Sequence, residues 1–560
     1  MNEEMLRVEA RKRAEDFLAN SSDFRLGDIE AEQSHPVTRN MSEAFASSVQ
    51  EGLSMLTECD ALLAPKVAKT LQSDEFAQLE GAIFKTLNAG GRIILSGCGS
   101  SGRLCMRIEN SFRKAIQFYG QEARKYEDKV LSLQTGGDYA VIRAVEFFED
   151  FAALGRHQAE EFGLTENDML IGVTATGETT SILGSAARAL DDGASVFMVV
   201  CSNPDHFYGR IPRAATVYRR PKTSVLFLPC GPMALTGSTR MQSSTYEQAV
   251  LGIAFDRTLT KLMGGEIRPL GNYAKAFEDL TRQISAAPCI EAMAEQVILE
   301  EKCYGKHGLI TYFADEYMLD VLTDTTERSP TFMTPPFVSK GTTGQVESWA
   351  FVKNPNYDTI TSWERCFRRP PRCIEWSKDE FASLGLETDI IDKIPPIGHE
   401  ALYKFVIGHE AMPERETPEG STAVWIGAGE APASFEKQAM KYHHHASFTL
   451  KKASLVPEKT TMDIFEHLGM KMLLNNVSTA TMVRMGRVHG NCMTFLNISN
   501  KKLIDRAARI ITLFSKLPYE RALEELFYTE EMFKQNNDKE HSSTQETLRR
   551  LKKQIGGFSQ

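Results

Sequence analysis

Between positions 91 and 103 the chain reads GRIILSGCGSSGR. Ile93, Ile94 and Leu95 form a short apolar run bounded by Gly91 and Ser96, the pattern of a buried parallel strand. The run enters Gly97-Cys98-Gly99-Ser100-Ser101-Gly102, after which Leu104, Met106, Ile108 and Phe112 recur with helical spacing. A strand, a glycine-serine loop and a helix start make an anion site. Helix N-terminal amides carry partial positive charge, hydroxyls add donors, and glycine lets the backbone approach a ligand closely. A small phosphate compound is the guest that fits. No Lys closes the loop as in a P-loop, and no acidic ribose clamp follows on a second strand. Without a ligand the same residues read as a tight strand-to-helix turn.

The pattern recurs. Buried strands are predicted at residues 169–173, 195–200 and 225–228, with helical periodicity between them. This describes an α/β fold with a doubly wound parallel sheet, whose ligands sit beyond the carboxyl ends of the strands. Three further loops fall at such ends. Thr174–Ser181 and Gly231–Met241 are rich in hydroxyls, and Thr135-Gly136-Gly137-Asp138 opens a predicted helix carrying Glu146 and Glu149. A second α/β block spans about 291–455, with strands at 309–313 and 423–426. Where the first block has its glycine loop, the second has Ala314-Asp315-Glu316-Tyr317, so its phosphate site is expected to be lost. The chain begins and ends in helical segments, with a turn expected at Asn536, Asn537, Asp538 and Lys539.

A length of 560 residues suits two or three domains. A net charge of −10 with no basic block argues against nucleic acid as a partner. The first residues, MNEEMLRVEARKRAEDF, are a charged amphipathic pattern, and no apolar run reaches the length of a membrane span. Ten scattered cysteines without a CxxC pair fit a reducing, cytoplasmic setting. His443-His444-His445 and the His-Glu pairs at 399–400 and 409–410 lack metal-site spacing, so neither metal nor cofactor is expected.

Taken in order, EQSHPVT at 32–38, GCGSSGR at 97–103, GGDYAVIRAVEFFED at 136–150, LTGSTRM at 235–241 and KMLLNNVSTATMVRMGRVHGN at 471–491 carry a resemblance. The chain resembles the sugar-isomerase-type (SIS) family that includes N-acetylmuramic acid 6-phosphate etherase and glucokinase regulatory protein. Its two-block length is most like the regulatory protein. The resemblance implies a helical segment at 1–76, a phosphate-binding SIS domain at 77–290, a second SIS domain with a degenerate loop at 291–455, and a helical lid at 456–560. The two SIS domains would form an internal pseudo-dimer.

The resemblance also implies a site. Gly97, Gly99, Ser100, Ser101 and Gly102 would hold phosphate. Thr176, Gly177, Thr179 and Ser238 would line the sugar, and Lys471 would reach the phosphate from the lid. Etherases use two glutamates, one protonating the departing lactate and one moving the sugar's C2 proton. Glu149 matches one. The motif of the other has Ser111 in the first block but Glu327 in the second, within Asp324–Thr331, so a composite site across the blocks is expected. Glu109, two positions off the motif, is expected to matter little. Three features depart from the family. Gln242 replaces a frequent Lys, Glu178 stands where etherases usually carry Arg and would repel a phosphate, and Leu450-Lys451-Lys452-Ala453-Ser454 puts lysines where the regulator presents an apolar patch to glucokinase.

The resemblance thus implies a binding protein for a hexose or hexosamine 6-phosphate that acts as a ligand-controlled regulator, with a sugar kinase or another protein as partner. The alternative is a carbon–oxygen lyase of the etherase type using Glu149 and Glu327. An aldose–ketose isomerase is the third reading.

Overall fold

A computed structural model describes residues 3–21, 27, 29–204, 212–496, 498, 500–538 and 541–555. Two parallel sheets organise it. The first contains β1 (Ile93–Gly97), β2 (Val130–Gln134), β3 (Met169–Thr174), β4 (Ser195–Val200) and β5 (Thr223–Phe227), in the order β2-β1-β3-β4-β5. Ile93 of central β1 stands opposite Val130 on one side and Met169 on the other. β1, β2 and β3 are buried along their whole length, which is why they read as continuous apolar runs rather than alternating ones. The second sheet contains β6 (Ile310–Phe313), β7 (Ala350–Lys353), β8 (Thr422–Gly427) and β9 (His444–Thr449), in the order β7-β6-β8-β9, all parallel. The expected strands match β1, β3, β4, β5, β6 and β8. β2, β7 and β9 were not anticipated. β9 begins in the His443–His445 run, whose exposed histidines hide the strand signal.

The stretch after β2 differs from expectation. In place of a helix, 3-10 turns cover Asp138–Val141 and Glu146–Asp150, and the helix Ala152–Glu160 starts later. Gly136 and Gly137, at φ +88° and +70°, break the helical course just after the strand.

The two blocks are tied by buried charge. The Glu109 carboxylate, on the helix Gly99–Tyr119, accepts from Arg113, from Arg369 and Arg372 of the second block, and from Ser132, at 2.6 to 3.0 Å. Burial opposes ionisation there, but the three guanidinium groups prevail and hold the acid well below the usual carboxylate range. Glu109 is therefore a structural hub between the blocks.

The C-terminal region is helical, as expected. The helix Ile464–Arg484 is buried for most of its length and packs against Gln242–Leu262, Ala287–Gly305 and Met318–Phe332. The helices Lys501–Ser515, Tyr519–Asn536 and Ser543–Ile555 follow, and the N-terminal helix Glu3–Asn20 packs on the second of them, with Arg13 donating to Glu531 at 2.5 Å. The expected turn is present at Asn537, with φ +52°; Lys539 lies outside the described residues. Among the described residues no helix is long and apolar enough to cross a membrane.

Candidate functional site

The helix after β1 starts at Gly99, and no side chain caps it. Gly99 adopts φ +54°, and a Cβ on Gly97 would stand 2.6 Å from the Gly102 nitrogen, so the loop requires both glycines. The first turn of this helix lines a cavity of about 130 Å³, together with Thr176 and Thr179 after β3 and Ser238 and Thr239 before the helix Gln242–Leu262. Glu149 and Glu327 line the same cavity. A Cβ on Gly99 would lie 4.0 Å from Glu327 Oε1, so the second block's carboxylate stands directly over the first block's loop.

The anticipated residues divide into two groups. Gly99, Ser100, Ser101, Thr176, Thr179, Ser238, Glu149 and Glu327 line the cavity. Gly97, Gly102, Gly177 and Lys471 do not. Gly97 and Gly102 shape the loop from beneath. Gly177, at φ +77°, turns the β3 loop and donates to Thr174 Oγ1 at 3.2 Å. Lys471 is buried in the helix Ile464–Arg484, where its ammonium donates to Arg240 O at 2.8 Å and Thr245 Oγ1 at 2.7 Å. It holds the loop that carries Ser238 and Thr239 from behind.

Three cations line the cavity, Arg240, Arg506 and Lys502, the last on the first turn of the helix Lys501–Ser515. Asn500 caps that helix by accepting from Leu503 N at 2.9 Å, and Lys502 Nζ lies 3.8 Å from Glu149 Oε1. The two arginines beside it are more tightly engaged. Arg240 Nη1 donates to Asp324 at 2.8 Å, and Arg506 Nη2 donates to buried Glu32 at 2.5 Å. Lys502, whose carboxylate contact is the longest of the three, is best placed to meet an anion in the cavity. Sequence reading overlooked it, although an asparagine cap followed by two lysines is a legible signal.

Two departures from the family pattern acquire a physical account. Glu178 does not line the cavity; its carboxylate pairs with Arg213 and accepts from Thr176 Oγ1 at 3.2 Å, so its charge is met locally. Gln242 donates to buried Asp60 at 2.9 Å and accepts from Ala234 N at 2.8 Å, fixing the loop before its helix. The EQSHPVT stretch acts as a clip. Glu32 holds Arg506 and Arg509, Ser34 donates to Asn491 at 2.8 Å, and Thr38 donates to Ala234 O at 2.7 Å.

The charge environment of the two glutamates differs. Glu327 pairs with the buried Arg103 guanidinium. Glu149 neighbours Asp150, whose pKa burial and the Glu149 charge push up to about 6. Among the described residues no group of three or more His, Cys, Asp or Glu is placed to hold a metal ion.

A parallel sheet with a hydroxyl-lined loop cluster at its carboxyl edge is a doubly wound α/β domain with a ligand site beyond its strand ends. Residues 76–190 match the model of the glucokinase regulatory protein N-terminal SIS domain. The chain is 30% identical to N-acetylmuramic acid 6-phosphate etherase of Pectobacterium atrosepticum over 243 residues, which cover 43% of this chain and 73% of that one. It is 32% identical to the Salmonella typhi etherase over 238 residues, covering 42% of this chain and 72% of the other. Among solved structures, tagatose-6-phosphate ketose/aldose isomerase from Escherichia coli aligns with 82% of this chain and 99% of its own, at 11% identity and a TM-score of 0.39. The chain belongs to the SIS family of N-acetylmuramic acid 6-phosphate etherases and glucokinase regulatory proteins.

Proposed function

We propose that the chain binds a hexosamine 6-phosphate, with its phosphate on the Gly97–Gly102 loop and Lys502, and cleaves an ether bond at C3 of that sugar. The observation that carries this reading is the convergence of Glu149 and Glu327, from separate blocks, on the cavity lined by Ser100 and Ser101. The names of the matched relatives support N-acetylmuramic acid 6-phosphate as substrate. In the open-chain sugar the C2 proton is acidic because it lies beside the C1 aldehyde. One carboxylate removes it, the other carboxyl protonates the C3 oxygen as lactate leaves, and water then adds at C3. The sum is ether plus water giving N-acetylglucosamine 6-phosphate and D-lactate.

The test is release of D-lactate from N-acetylmuramic acid 6-phosphate. Glu149→Gln and Glu327→Gln should each lower turnover by about 10²–10⁴-fold. Exchange of the C2 proton with deuterated solvent, lost in one variant and retained in the other, assigns the base. The second reading is a regulator that binds the same ligand without turnover. The Arg103–Glu327 pair favours it, because Arg103 already engages Glu327 Oε1, the oxygen that stands over the loop. Tight sugar-phosphate binding with no D-lactate release would select that reading. Glucokinase as its partner gains no support from Lys451 and Lys452, which are spent on ion pairs with Glu430 and Glu295 at 2.6 and 2.9 Å.

A further inference from the structure

A carboxyl group lies directly beneath the phosphate loop, where a second negative charge would oppose a phosphate. Glu247, on the helix Gln242–Leu262, is 0% exposed. Its Oε2 lies 3.1 Å from Ser101 Oγ, and its Oε1 has no hydrogen-bond partner among the described residues. Among the described residues no ion pair reaches it, unlike Glu109, Glu178 and Glu327, which each meet an arginine.

The groups that face it supply little compensating charge. On the helix Gly99–Tyr119, the Cys105 thiol is pushed up by burial and by Glu247 itself, so it stays neutral. Cys201, just beyond β4, is pushed up by burial first, then by its contact with Cys230 and by Glu247. Lys471, on the helix Ile464–Arg484, acts on Glu247 through space, but its own burial lowers its pKa to about 7 and its ammonium is spent on Arg240 O and Thr245 Oγ1. On its own helix, Ser243 and Tyr246 are uncharged. Burial therefore dominates and pushes Glu247 up to about 8.

We infer that Glu247 remains the uncharged acid in the folded protein and, as a positioning residue acting through Ser101, orients the loop to receive a phosphate dianion. This rests on the sugar-phosphate reading of the cavity. A neutral Glu247 donates its O–H to Ser101 Oγ, which turns the serine O–H toward the cavity as a donor. An ionised Glu247 instead accepts a hydrogen bond from the serine O–H, so Ser101 offers only lone pairs to the phosphate and a carboxylate stands behind it. The same contact serves either direction. Binding a phosphate dianion above the carboxyl's pKa must then be accompanied by uptake of one proton.

The experiment pairs two measurements on the full chain, wild type and Glu247→Gln. The first is infrared difference spectroscopy at pH 7, which reads the protonated-carboxyl band without any ligand. The band should be present in wild type and missing from the variant. Its absence from wild type overturns the inference, whatever the ligand does. The second is calorimetric titration with N-acetylglucosamine 6-phosphate from pH 6.5 to 9.5 in buffers of different ionisation enthalpy. Wild-type affinity should fall toward tenfold per pH unit above about pH 8, with up to one proton taken up per ligand. The amide of Glu247→Gln donates at every pH, so its affinity should stay flat and proton uptake vanish. Matching profiles for the two proteins overturn the inference while leaving the sugar-phosphate site standing. No binding by either protein at any pH, beside an intact infrared band, overturns the sugar-phosphate reading and the coupling with it, but not the protonation.

Discussion

The loops after β1 and after β6 occupy equivalent places in the two sheets, and they have opposite chemistry. After β1 come small residues, an uncapped helix and a hydroxyl-lined cavity. After β6 come two carboxylates that are already satisfied. Asp315 accepts from Asn354 at 3.0 Å and Asn356 at 3.1 Å, and Glu316 pairs with Lys114 and Arg368 at 2.8 Å each. Burial opposes ionisation of Glu316, but Arg368 and Lys114 overcome it and hold the acid at about 2. The second block has exchanged ligand-ready amides for internal ion pairs. Its helix Met318–Phe332 instead sends Glu327 into the first block's cavity. The β1 loop thus lines the cavity, and the second block forms part of that cavity's wall.

The largest test of this contrast is Ser101→Asp. It would place a carboxylate where the phosphate is proposed to sit, above a second acid at Glu247. Affinity for N-acetylglucosamine 6-phosphate, measured by calorimetry, should fall by more than about 100-fold, since the variant loses a charge-assisted hydrogen bond and adds like-charge repulsion. Retained affinity would mean that the β1 loop is only a turn, no more a ligand site than its counterpart.

Next in size is Glu109→Gln, which probes how firmly the blocks are held in their unequal roles. The substitution leaves Arg113, Arg369 and Arg372 facing each other around an uncharged amide. Breaking a buried ion cluster in this way costs about 3–5 kcal/mol. A large drop in the thermal midpoint is expected, along with weaker sugar-phosphate binding as Glu327 loses its register over the loop. Wild-type stability in this variant would show that the block interface does not depend on the cluster.

The sequence displayed the first sheet well because β1, β3 and β4 are apolar runs closed by glycine or hydroxyl loops, and the β1 loop declares its chemistry in local order. That Glu149 and Glu327 line one cavity is a matter of motif positions rather than periodicity. What the sequence hid was long-range. β2 contains Ser132 and Gln134, whose polar side chains serve buried hydrogen bonds or approach the loop glycine, so it lacks an apolar signature. Lys471 and Lys502 lie on adjacent C-terminal helices, and only the tertiary fold tells that the first is buried behind the site while the second lines it. Glu109 and Glu247 are ordinary helix glutamates in the sequence; three arginines from two blocks make one a charged hub, and their absence makes the other a neutral acid.

A smaller, pH-dependent effect distinguishes those last two acids. Glu247 has its pKa raised from 4.5 to about 8 on folding, so the folded state binds the extra proton between those values. Its contribution to stability is fully present below about pH 4.5 and is lost as pH rises through about 8. The melting temperature of Glu247→Gln relative to wild type should therefore climb across that window and level off above it. Glu109, shifted the other way, contributes stability that is present above its unfolded pKa and lost as pH falls below it. A Glu247→Gln difference that is constant from pH 5 to 9 would show the acid to be charged in the fold.

The smallest expected effect completes the comparison between the loops. Asp315→Asn removes one charge from the β6 loop while keeping a group that can still accept from Asn354 or Asn356. Asp315 does not line the cavity that holds Ser101, Glu149 and Glu327. If the β6 loop has no ligand role, affinity for N-acetylglucosamine 6-phosphate should change by less than about twofold, and stability by about 1 kcal/mol or less, the scale of a single modest hydrogen bond. Calorimetry and thermal unfolding of the same preparation read both. A second binding event in the variant, or a tenfold change in affinity at the first site, would show that Asp315 suppresses a latent phosphate site, and the loops would then differ by a single charge rather than by their whole network of ion pairs.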